Sequence, residues 1–186
     1  MTRRKNDGTV AGTMSVQAPF AGRLGSAASL QEVFGLVKEI VWKHLRADQA
    51  GLMVGLANMG ASSHGVLGAY YSPEANAIVL NKAAMAAVRH FANLELYQSY
   101  CFFILIHEYL YSCGFYDEAA NRQLVAGIVD KEFGPEHAVT KLATRPEAML
   151  RLVGVGLRGG AIPPAGMHEE IEFIPGIDRK GTNYIS

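Results

Sequence analysis

The strongest constraint on this chain is an apolar run that ends in a charged pair. From Tyr100 to Glu118 the sequence reads Y-C-F-F-I-L-I-H-E-Y-L-Y-S-C-G-F-Y-D-E. An apolar run of this length is the mark of a buried helix or a central strand. His107 and Glu108 at its end are costly in such a place unless they have partners or a chemical task. One turn later stands Tyr111, then Gly114, then the acidic pair Asp117-Glu118.

The surrounding chain reads as a scaffold for that run. Its 186 residues suit one domain, and 49% hydrophobic content with 18% charge supplies a core that a disordered chain would lack. The formal net charge of +0 argues against gripping nucleic acid through bulk charge. Residues 1–25, rich in Gly, Ser, Thr and basic residues, read as a flexible N-terminal arm with no apolar segment of a secretory signal. The run before His107 is too short and too interrupted to span a membrane.

Periodicity assigns most elements. Ser29-Leu30-Gln31-Glu32 has the capping-box form, and the apolar spacing that follows predicts an amphipathic helix from Leu30 to Arg46 with His44 as a C-terminal cation. Leu52–Ala57 reads as a strand. Residues 69–71 and 77–80 flank a turn-rich S-P-E-A-N and read as a hairpin. Asn81 closes the second strand and caps a helix from Lys82 to Phe91. A helix from Leu94 to Cys113 carries His107 and Glu108, with Gly114 as its C-cap. Asp117 N-caps a helix to Phe133, stopped by Gly134-Pro135. Short helices follow at 136–143 and from Pro146 to Val153. The body is then a domain at 26–153, and 154–186 is an extended tail in which Glu170–Ile174 alternates as an edge strand would. The order is that of an α+β domain, a small mixed sheet with a hairpin packed on several helices around a central buried one.

Cys101 and Cys113 fall on one helix, about 18 Å apart at 1.5 Å per residue. That is too far for a disulfide between them, so both read as reduced core thiols, which suits a cytoplasmic setting.

H-E-x-x-H on a helix is a zinc site because residues four apart share a face and the Glu can take a proton from zinc-bound water. Here the frame is His107-Glu108-Tyr109-Leu110-Tyr111, so the second ligand position holds a tyrosine. His107-Glu108-x-x-Tyr111-x-x-Gly114-x-x-Asp117 resembles the extended H-E-x-x-H-x-x-G-x-x-H/D pattern of the metzincins and, more loosely, the small zincin-like proteins. The resemblance implies a zincin-like fold, with the strand at Ala77–Leu80 beside the active-site helix. It makes His107 the first metal ligand, Glu108 the general base and Asp117 the third ligand. Tyr111 departs from it, because a neutral phenol is a poor zinc ligand.

Rescue of the site would need another donor: Glu118, or a distant histidine such as His64, His90 or His137. His64, in a Ser/Gly loop, is the most plausible of these. His90 reads more simply as a surface residue and His137 as a helix cap. The pair Tyr70-Tyr71 and the residues Tyr97 and Tyr100 read as core or rim aromatics. No Met-turn is secure, although Met149 and Met167 are available.

The expectation is a zincin-like protein with a degenerate metal motif, without catalysis and with no cofactor. It would bind a peptide or protein partner by strand addition at Ala77–Leu80. The alternative is a metal-dependent hydrolase of the peptidase kind, in which Glu108 activates a water on a metal held by His107, Asp117 or Glu118, and a remote donor. A third reading is an accessory factor on a ribonucleoprotein, acting through Arg3-Arg4-Lys5 and Arg179-Lys180.

Overall fold

The computed structural model describes residues 19–60, 66–145 and 170–177. They form six helices and four strands: α1 Pro19–Ser26, α2 Leu30–Leu45, β1 Met53–Ala57, β2 Ala69–Ser72, β3 Ala77–Asn81, α3 Lys82–Phe91, α4 Leu94–Ser112, α5 Glu118–Phe133, α6 Ala138–Thr144 and β4 Glu172–Phe173. The architecture is α+β with a mixed sheet, as the pattern predicts. No described helix is long and apolar enough to cross a membrane.

The sheet runs β2-β3-β1-β4. β1 and β3 are parallel, with Val54 beside Ile78 and Leu56 beside Leu80. β2 is antiparallel to β3, and β4 is antiparallel to β1 through Gly55 and Leu56. One expectation is corrected here. The strand at Ala77–Leu80 lies inside the sheet, paired on both sides and wholly buried, so it offers no edge; among the described residues the edge on this side is β2. Its composition carries the reason. Ala77-Ile78-Val79-Leu80 is apolar on both faces, the mark of a central strand, whereas β2 alternates between a buried Ala69 and an exposed Tyr70.

α4 is the hub. It is apolar nearly all round and packs against α1, α2, α3, α5 and α6 as well as β2 and β3. Tyr100, Phe102, Leu105, Ile106, Tyr109 and Leu110 are 0% exposed. Truncating a leucine among them to alanine costs about 2–5 kcal/mol. Asn93 caps its start by accepting from the Leu96 N–H at 2.9 Å. The Tyr109 hydroxyl donates to Asp48 at 2.6 Å and its ring meets Phe34 edge-on at 5.4 Å, which fixes α4 against α2.

The helix caps match their sequence signals. Ser29 Oγ accepts from Glu32 N–H at 3.2 Å, while the Glu32 carboxylate accepts from Ala28 N–H at 2.7 Å. α2 ends with Arg46 at φ 53°. Asn81 does more than cap α3. Its Oδ1 accepts from Ala83 N–H at 3.0 Å and Met59 N–H at 3.2 Å, and its amide donates to Gly60 O at 3.0 Å and Leu67 O at 2.9 Å. One buried side chain therefore anchors both ends of the 58–68 connection at the sheet's end.

Two boundaries shift. Residues 19–25 of the expected arm form most of α1, and Phe20 and Leu24, four apart on one face, are buried in the core. That apolar pair is too short a pattern to stand out among the glycines and polar residues around it. The sixth helix starts at Ala138, not Glu136, because His137 is its N-cap. The helix expected after Pro146, the methionines Met149 and Met167, and both basic clusters lie outside the described residues. Near the C-terminus, β4 appears within the alternating segment Glu170–Ile174, and Ile171 and Phe173 pack over Gly55, where a β-carbon would stand 2.4 Å from Ile171 Cγ2.

Candidate functional site

The site begins with how α4 ends. Gly114 adopts φ +94°, its N–H bonds Tyr111 O at 3.0 Å, and the Phe115 N–H bonds Leu110 O at 3.0 Å. This is a Schellman turn, which needs a residue without a β-carbon at that φ. It reverses the chain so that α5 starts opposite the last turns of α4. Asn121, fully buried on α5, locks the approach by donating to His107 O at 3.2 Å and Phe115 O at 3.3 Å.

The turn brings Glu118, not Asp117, to His107. The Asp117 carboxylate accepts from Ala120 N–H at 2.7 Å and caps α5. The Glu118 carboxylate instead gathers three donors. His107 Nε2 lies 3.5 Å from Oε2, the Tyr111 hydroxyl donates to the same oxygen, and Arg122 Nε lies 2.6 Å from Oε1. His107 and Tyr111, four apart on one helix face, thus converge as the two ligand positions of H-E-x-x-H would, and the point of convergence is a carboxylate.

The electrostatics follow from that arrangement. Burial works against ionisation of Glu118, but Tyr111, His107 and Arg122 outweigh it and hold the carboxyl below its ordinary range. Desolvation, aided by Glu118, lifts the Tyr111 phenol to about 12, so it stays a donor. Burial lowers the His107 pKa despite the nearby Glu118, which keeps the ring neutral, and its Nδ1 is buried without a partner. Glu108 points elsewhere. Burial raises its pKa to about 7, against the opposing pull of the Tyr71 backbone N–H, and the charge on Glu118 adds to the rise.

His107, Glu108, Glu118 and Arg122 face a cavity of about 320 Å³ beside β2. Val66 to Ala69 form one wall; Phe103, Ile104, His107 and Glu108 of α4 form the floor; Glu118, Arg122 and Val125 of α5, with Ala143 of α6, close the far side. The walls are mostly apolar, with polar groups at one end, the usual make-up of a binding pocket. Sequence reasoning reached His107, Glu108, Tyr111 and Glu118. It missed Arg122 and Asn121, whose only signal is the i,i+4 spacing of Glu118 and Arg122.

Zinc needs at least three protein donors. Among the described residues no three His, Cys, Asp or Glu side chains are grouped so as to hold a metal ion. Asp117 is engaged as a cap, and Tyr111 fills the second position with a protonated phenol. His90 is exposed and stacks edge-on against Phe91, and His137 Nδ1 accepts from Val139 N–H at 3.2 Å. His64 lies outside the described residues. The described donors do not fit zinc. Both cysteines are free, Cys101 in the core and Cys113 half-buried.

Comparison with protein-family models, with curated proteins and with solved structures gives no match for this chain. What fold and site define is a class: an α+β domain with an edge strand beside an apolar groove whose polar end is a His–Tyr–Glu–Arg cluster.

Proposed function

We propose that this chain is a zincin-like, non-catalytic binding protein of the cell interior, and that the groove between β2 and α4–α5 takes an extended segment of a partner protein by strand addition. One observation carries the reading: His107 and Tyr111, the two ligand positions of the motif, are spent on Glu118, while β2 beside them is, among the described residues, an edge of the sheet. Strand addition uses main-chain hydrogen bonds for affinity and pockets for alternate side chains for specificity. The free cysteines fit a reducing compartment.

The test is fluorescence anisotropy with a pool of random octapeptides. Binding in the micromolar range, unchanged by chelator and lost when alternate peptide amides are N-methylated, is the expected result. Binding that survives N-methylation rejects strand addition.

A second reading, a hydrolase, draws on Glu108. A carboxyl with a pKa of about 7 on a pocket wall suits a general base. Mass spectrometry of the same pool decides it: cleavage that stops with Glu108→Gln would replace the binding reading.

A further inference from the structure

The direction of the β2 edge and the place of Arg122 together specify which part of a partner fits. Asn81 N–H bonds Gly68 O at 2.9 Å, so Gly68 and Asn81 face each other as a hydrogen-bonded pair of the β2–β3 ladder. Alternation then turns the main-chain groups of Tyr70 and Ser72 toward β3 and those of Ala69 and Tyr71 outward. Tyr71 N–H already faces the Glu108 carboxyl. Of the outward groups, those at the start of β2 belong to Ala69, which is 5% exposed and lines the cavity.

The cavity lies at that same end, against Val66 to Ala69. A guest strand antiparallel to β2, the slightly more stable arrangement, runs its C-terminal end toward the start of β2. Its last residue arrives at the cavity. Across the opening stands Arg122, whose side chain is 62% exposed and whose only carboxylate partner among the described residues, Glu118, is met through Nε. The guanidinium is a planar fork of five donors, so its terminal nitrogens can serve a second carboxylate.

We infer that the groove captures the free C-terminal end of a partner protein that finishes in an aliphatic residue: the chain end pairs antiparallel to Ala69, the last side chain fills the cavity against Phe103, Ile104 and Val125, and the terminal carboxylate binds Arg122. The inference rests on strand addition at β2, the proposed function. It goes beyond that reading in fixing the guest's direction, its end and its last side chain. The apolar side of the cavity, Phe103, Ile104 and Val125, selects Leu, Ile or Val, whose burial there removes apolar surface from water.

The experiment uses the full chain and two N-terminally labelled pools of random octapeptides ending in Leu, Ile or Val. One pool has a free carboxylate and the other a C-terminal amide. The acid pool is expected to bind at least about 10-fold more tightly, the worth of one good charge-assisted bond. Arg122→Gln, at an exposed position, is expected to remove that difference. Equal binding of the two pools, sensitive to N-methylation, overturns end capture and leaves strand addition standing. Binding of neither pool overturns both. Acid-selective binding that Arg122→Gln does not change overturns the role of Arg122.

Discussion

The Tyr111 hydroxyl donates to Glu118 across the turn made by Gly114. It occupies the direction in which a second histidine would reach a metal, and it gives that direction to a carboxylate already held by Arg122. The relation gives the Glu118 carboxylate a donor from the position four residues after His107. The phenol is a donor, the carboxylate an acceptor, and the neutral His107 completes the cluster without a buried positive charge.

Tyr111→His is therefore expected to create metal affinity. Two imidazoles four apart, with Glu118 between them, make a His2Glu donor set of the kind zinc accepts. Titration calorimetry with zinc after chelator treatment should show one site in the variant, at least about 10-fold tighter than any binding by the parent chain. Equal zinc binding by the two proteins would show that the Tyr111 position does not govern the site.

Glu108→Gln is expected to raise stability at high pH and to leave it nearly unchanged at low pH. Burial lifts the folded pKa to about 7 from an ordinary value of 4.5. Between those values the unfolded chain has released a proton that the folded chain keeps. The contribution of Glu108 to stability is thus fully present below 4.5 and lost as pH rises through about 7. At about 1.4 kcal/mol per unit, the loss is on the order of 3 kcal/mol by pH 8. Urea unfolding at pH 5 and pH 8 checks it; a glutamine variant with the same pH slope as the parent would contradict it.

Asn81→Ala should unsettle the groove as well as the fold. The change removes four hydrogen bonds and leaves the part-buried Met59 N–H and Leu67 O and the buried Gly60 O without this partner. A loss of about 2–3 kcal/mol follows from the missing cap and the orphaned Gly60 carbonyl. Because Leu67 and Gly68 line the cavity, peptide affinity should fall in the fraction that remains folded. Hydrogen exchange over 66–69 is the second readout, expected to speed up more than over α2.

The caps and the long amphipathic helices were legible because each is a local signal. Ser29, Asn81 and Asp117 cap the helices their positions predict, and Gly114 ends α4 where a left-handed residue is required. α1 was not legible, since Phe20 and Leu24 make only one turn of pattern. The edge strand was misplaced for a different reason. Strand order depends on which strands pair across the sheet, and an apolar tetrapeptide reads the same at an edge as at the centre until its neighbours are known.

The opposed roles of the acidic pair make the same division. Sequence by itself determined that His107, Glu108 and Tyr111 share the end of one buried helix, because 3.6-residue periodicity and a glycine stop are properties of the chain alone. Only the tertiary structure decided that Asp117 turns to its own helix and Glu118 to His107. The two carboxylates are adjacent, and their fates differ by about 100° of helix rotation. That angle is set by how α5 docks on α4, through Asn121 and the Schellman turn, and no local pattern encodes it.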